Sequence, residues 1–128
     1  KALHVDAAIG LDEDLRRKIA PSVYLSMDAS ISAKEKKKRI PIMRKVLAEK
    51  DIPFYMAHFE KLLEGKEFLT GSKPTVADAQ FCVTTRYLSG GVLDGVPKDC
   101  LDAFPNVLAF KHRMENLPEL KEYFDRKK

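Results

Sequence analysis

The stretch FLTGSKPTVADAQFCVTTRYL, Phe68 to Leu88, turns from loop to helix at Thr75. Gly71-Ser72-Lys73-Pro74 is rich in helix breakers, and Pro74 disfavours helical backbone at the residue before it. Thr75 is placed to be an N-cap whose hydroxyl accepts from the backbone N–H of Asp78, while the Asp78 carboxylate reaches back to the N–H of Thr75. The negative charge also suits the positive end of a helix. Losing such a threonine cap costs about 1 kcal/mol. Behind the cap, Val76, Ala79, Val83 and Tyr87 trace one face, with Phe81 and Leu88 alongside. Apolar residues on two sides predict a central, buried helix.

Outward from this segment the pattern stays helical. Leu11, Leu15, Ile19 and Val23 recur every four residues on a long first helix, with Pro21 predicting a kink or break late in it. Ser32 and Glu35 have the spacing of a second capping box. Ile52, Met56, Phe59 and Leu63 share a face that ends at Gly65, and Pro41 and Pro53 are expected to bend or interrupt that stretch. Gly90-Gly91 closes the Thr75 helix. Val107, Phe110, Met114 and Leu117 then mark another, and Pro118 opens a short last one with Leu120, Tyr123 and Phe124. No strand pattern, repeat or low-complexity segment occurs. The expectation is an all-α bundle of five or six helices, one domain over residues 1–128.

Composition narrows the function. No apolar run approaches the roughly 18 residues of a membrane span. The net charge of +4 raises the question of nucleic acid. Much of the excess lies in Lys34-Glu35-Lys36-Lys37-Lys38-Arg39 and Arg126-Lys127-Lys128, where helical charges fan outward and no aromatics interleave for base stacking. A solvated face is the reading, with neither nucleic acid nor membrane as partner. Cys82 and Cys100 have no metal spacing and fit a reducing cytosol, Cys82 as a small apolar residue on a buried face. His4, His58 and His112 stand alone, so no metal is expected. Asp12-Glu13-Asp14 places three acids in one turn, either a solvated patch or a site that recognises a cation.

Three stretches carry a family resemblance. Phe68-Leu69-Thr70-Gly71-Ser72-Lys73-Pro74-Thr75-Val76-Ala77-Asp78, Cys100-Leu101-Asp102-Ala103-Phe104-Pro105-Asn106, and Ala2-Leu3-His4-Val5-Asp6 followed by Glu13-Asp14-Leu15-Arg16 occur in order over nearly the whole chain. The sequence resembles the C-terminal helical domain of cytosolic glutathione transferases, nearest the sigma, pi, alpha and mu group. It departs at the hydrophobic staple, where Pro74 and Ala79 stand in place of bulkier residues.

The resemblance implies that Thr75 and Asp78 are a structural cap. It implies that Asp14 reaches across a dimer to the γ-glutamyl amine of the partner's glutathione, a charge-assisted contact. Tyr24 and Ala20 would line the electrophile pocket and Asp6 the dimer interface, while Gly10 lacks an acid that some sigma members carry there. The thioredoxin-like domain that binds glutathione and activates its thiol is absent from these residues. The parent is expected to be a homodimeric cytoplasmic transferase in detoxification, with glutathione as co-substrate and small electrophiles as partners, and the isolated chain inactive. The competing expectation is a non-catalytic protein-interaction module, and a third is a structural relative without activity.

Overall fold

The computed structural model describes residues 2–118. The side chains of residues 1–4 and 119–128 lie outside the described residues, and with them His4 and the expected last-helix positions Leu120, Tyr123 and Phe124. Five α-helices form the bundle: α1 (Ala2–Met27), α2 (Ala33–Val46), α3 (Ile52–Leu62), α4 (Val76–Ser89) and α5 (Pro105–Glu115). A π-helical turn, Leu47–Asp51, joins α2 to α3 without a break, so the described residues hold four continuous helical runs. The expected all-α class holds, in fewer separate rods than five or six. No strand occurs among the described residues, only an isolated bridge between Phe68 and Gly71.

The π turn has a local cause. Pro53 has no N–H to donate and its ring crowds the carbonyl four residues back, which favours a widened turn between α2 and α3. One extra residue widens the turn ahead of it, and Ile52 N–H bonds to Leu47 O, five residues back. Pro21 and Pro41 do not interrupt their helices as expected. Both are exposed, so the donor each lacks is missing only from the solvent side. Ser32 caps α2 as read, its hydroxyl accepting from Glu35 N–H at 3.2 Å.

The expected stripe on α1 is displaced. Ala8, Asp12, Leu15, Ile19 and Ser22 are buried, while Leu11 and Val23 are only half-buried. A strict four-residue repeat drifts about 40° around a helix at each step, whereas alternating steps of four and three stay on one side. Two polar residues on this face are matched by partners. Ser22 Oγ accepts from Arg44 Nε at 2.8 Å, and Arg44 Nη1 donates to Asp94 O at 2.8 Å. Arg44 is itself buried and ties α1, α2 and the loop after α4 together. Gly95 makes room for it: at φ +93°, an added Cβ would stand 2.8 Å from Arg44 Cβ.

At the centre, Phe59 of α3 stacks on Phe81 of α4 with ring centroids 3.7 Å apart, and Phe110 of α5 lies 5.4 Å from Phe81. Ile52, Met56, Leu63, Val107 and Met114 close around these rings as expected. The N-terminus of α5 is served from another helix. Glu60 of α3 accepts from Asn106 N–H at 2.9 Å and Val107 N–H at 3.0 Å, satisfying donors that a helix start leaves unpaired.

The face of α4 also differs from the reading. Ala77, Asp78, Phe81, Cys82, Thr84, Thr85 and Leu88 are buried, whereas Val76 and Val83 are exposed. The cap sets this orientation. Thr75 and Asp78 form the expected capping box, and the carboxylate carries a further contact that ties back the preceding loop. Asp78 Oδ2 accepts from Thr75 N–H at 2.7 Å and from the Thr75 hydroxyl at 3.0 Å, while Oδ1 accepts from Leu69 N–H at 2.8 Å. With Asp78 fully buried, positions 81, 82, 85 and 88 must follow it inward.

Asp78→Ala is expected to cost on the order of 3 kcal/mol or more, because it strips a charged acceptor from three donors and leaves the Leu69 amide unserved inside the protein. Thr75→Ala is expected to cost about 1 kcal/mol. Urea unfolding followed by circular dichroism separates the two; equal losses would remove the case for the loop tie.

Candidate functional site

Turning Val83 outward has a consequence for α1, which packs along α4. Between the two helices lies a half-open cleft of about 300 Å³. Arg16, Ile19, Ala20, Val23 and Tyr24 of α1 form one wall, and Val83, Thr84 and Tyr87 of α4 form the other. The α1 residues recur at three- and four-residue intervals, the condition for one helical strip. The surface is chiefly apolar, with two phenols at its margin. Tyr24 is 70% exposed, Tyr87 is half-buried, and neither hydroxyl has a hydrogen-bond partner among the described residues.

The polar floor was not foreseen. Asp12 is buried, 1% exposed, and this corrects the reading of Asp12-Glu13-Asp14 as a uniformly solvated or cation-recognising patch. Its position is dictated by the inward face of α1, one turn from Ala8 and Leu15. Thr84 has one hydroxyl hydrogen and directs it to Asp12 Oδ1 at 2.6 Å. Thr84 Oγ1 in turn accepts from Arg16 Nε at 3.1 Å, and Arg16 Nε also stands 2.9 Å from Asp12 Oδ2 as an ion pair. Arg16 Nη2 donates to Gln80 O at 2.9 Å. Three side chains and the Gln80 carbonyl thus lock α1 to α4 beneath the cleft. Burial pushes the Asp12 carboxyl above its ordinary range, opposed by the Thr84 hydrogen bond and the Arg16 charge.

Of the positions singled out in the sequence, the structure brings Ala20 and Tyr24 together in this cleft. Asp14 lies elsewhere on α1, exposed and paired with Arg17 at 2.7 Å, with Glu13 3.8 Å from the same guanidinium. Asp6 is exposed and lines neither this cleft nor a second one. The second, of about 450 Å³, lies between α1 and the α3 region and is bounded by Ala7, Leu11, His58, Lys61, Leu62 and Lys66. Thr75 and Asp78 are engaged entirely in capping and loop contacts.

Arg16, Val83, Thr84 and Tyr87 are cleft residues that the sequence reading missed or placed on the buried face. The spacing of Arg16, Ala20 and Tyr24 was an available signal for the first. For α4, the signal was the buried cap, which turns Val76 and Val83 to the opposite side. No group of three metal-ligating side chains occurs among the described residues. Neither thiol suits nucleophilic chemistry, because burial pushes Cys82 and Cys100 each up to about 11.

The family model "Glutathione S-transferase, C-terminal domain" matches residues 13–127 of the chain. The sequence is also similar to Glutathione S-transferase 2 of Onchocerca volvulus, 35% identical over 80 residues. That match covers 59% of this chain and 36% of the relative, so the chain corresponds to little more than a third of that protein.

The Asp12 arrangement sets a pH dependence. The folded state holds the proton more tightly than the unfolded chain, so the stability this carboxyl lends falls as pH rises from 3.8 through the raised folded value. The stability of the wild type minus that of Asp12→Asn is expected to decline over that interval, read from denaturant unfolding at a series of pH values. A difference that grew with pH would contradict the assignment.

Proposed function

Because this chain belongs to the glutathione S-transferase C-terminal domain family, we propose that it is the electrophile-binding half of a glutathione transferase, sigma- or pi-like in type. The observation that carries the reading is the α1–α4 cleft, where Ala20 and Tyr24 meet Val83 and Tyr87 around an apolar space. A small electrophile with an apolar body gains by leaving water for such a surface, at roughly 25 cal/mol per Å² buried. Bound there, its reactive carbon is held for a glutathione thiolate supplied from a thioredoxin-like domain. Fixing the two reactants converts an encounter in solution into a local event, and this chain's part is placement and exclusion of water. The Tyr24 hydroxyl stands ready to hydrogen-bond charge that develops on the electrophile.

The other site residues fall on a separate surface. Asp14 would meet the γ-glutamyl ammonium of glutathione bound to a partner subunit, releasing Arg17 from its present pairing. Asp6, exposed near the start of α1, would lie at the dimer contact. The parent is then a homodimer that uses glutathione as co-substrate in cytoplasmic detoxification. The cleft favours this over a protein-interaction module, which has no need of a concave apolar site with idle phenols.

Kinetics of the parent protein with glutathione and a chlorinated nitroaromatic test the roles. Tyr24→Ala is expected to lower kcat/KM for the electrophile about tenfold, ~1.4 kcal/mol, with KM for glutathione unchanged. Asp14→Asn is expected to raise KM for glutathione several-fold and leave the electrophile's KM alone. The 128 residues by themselves are expected to give no turnover. Unchanged electrophile kinetics in Tyr24→Ala would end the assignment of the cleft.

A further inference from the structure

The outer face of α2 carries charge that nothing in the bundle answers. Lys34, Lys37, Lys38, Arg39 and Lys45 are exposed, and none of them has an ion pair among the described residues. Glu35 is the single acid of the helix. The two remaining bases are engaged with α1: Lys36 Nζ donates to Ser26 O at 3.2 Å and Arg44 Nε to Ser22 Oγ at 2.8 Å. The sequence alone reads the run as a solvated face. What the fold adds is an apolar strip within it, because Ile42 is 63% and Val46 43% exposed. At about 100° per residue the two stand side by side, with the row Lys34, Lys38 and Lys45 on one flank and Arg39 on the other.

We propose that this face seats the protein peripherally on anionic lipid bilayers, with Ile42 and Val46 entering the headgroup layer between phosphate-facing cations. Lysine can lay its hydrocarbon stem along an apolar layer while its ammonium stays among the phosphates. A cluster of lysine and arginine around apolar side chains on one helix is the arrangement that an anionic membrane surface attracts. Contact is confined to the surface, since no helix among the described residues is long and apolar enough to cross a membrane. A groove-binding peptide fits the face less well: neither cleft has an α2 residue in its lining, and lysine is depleted where proteins meet. Nucleic acid would be met by the cations, but branched aliphatic side chains between them give bases no ring to stack on. The inference concerns where the protein sits and is independent of the α1–α4 cleft.

Co-sedimentation of the 128-residue chain with phosphatidylcholine vesicles, with and without about 30% phosphatidylserine, tests this. The mixed vesicles are expected to bind it about tenfold more strongly, with the difference shrinking as salt is raised. Lys34→Gln, Lys38→Gln and Lys45→Gln together are expected to remove most of that difference. The same exchange at Lys61, Lys66 and Lys73, which are exposed outside α2, is expected to keep it. Ile42→Ser with Val46→Ser is expected to weaken binding to the mixed vesicles about threefold. All of these side chains are exposed, and thermal unfolding by circular dichroism checks that each variant is folded. Equal binding to the two vesicle types would overturn the inference. Equal losses in the two lysine triples would do so too, by reducing the effect to net charge. Vesicle binding unmoved by the serine pair would also overturn it, leaving a surface for polyanions in general. Retention on duplex DNA that disappears in the α2 triple would then identify the polyanion as nucleic acid.

Discussion

Asp78 is a carboxylate with no access to water, and the arrangement of the bundle depends on what its two oxygens hold. One oxygen fixes the first turn of α4 through Thr75, and the other fixes the chain ten positions before Ala79 through the Leu69 amide. Such a group is tolerable inside a protein only because each contact is a charge-assisted hydrogen bond from a donor that would otherwise be stranded. The rotation of α4 is settled by this requirement. Phe81 is thereby aimed between Phe59 and Phe110, and Val83 and Tyr87 are aimed at α1. The core and the cleft are two sides of one orientation.

A second buried acid performs a comparable task farther along the same pair of helices. Asp12, Thr84 and Arg16 join α1 to α4 under the cleft, so its floor is a polar lock between apolar walls. The contrast with Asp78 is physical. Asp78 answers backbone amides at a helix start, whereas Asp12 faces a hydroxyl and a partly exposed cation, and burial raises its proton affinity. The first is suited to permanence. The second sits where solvent can reach its partner, and it fixes the attitude of Arg16 without being exposed itself.

The fold was largely readable from the chain because its decisive signals are local. Thr75 and Asp78 are three residues apart, Ser32 and Glu35 likewise, and the apolar period from Ile52 to Leu63 is that of a helix. Tyr24 and Ala20 are singled out by family resemblance alone, and their place on one wall of a cleft comes from the structure. What escaped the reading depends on distant partners. Asp12 looks solvated among three adjacent acids until Thr84, 72 positions away, is brought to it. Glu60 looks like any surface acid until the start of α5, 46 positions on, presents its amides. Val83 reads as core because a valine in a rich apolar pattern gives no sign of which side the cap will turn inward.

The π turn between α2 and α3 leaves a trace in the buried register of that rod. Arg44 and Leu47 are three residues apart, and Ile52, Met56, Phe59 and Leu63 follow steps of four, three and four. Between Leu47 and Ile52 the step is five, one residue more than an α-helix uses to return to the same side. The rod therefore stores a spare unit of length at a single place. Deleting one residue from 48–50 would use up that slack and keep both halves in phase, whereas the same loss elsewhere would swing one half by about 100° relative to the other. Heritable change in the length of this helix has one cheap address.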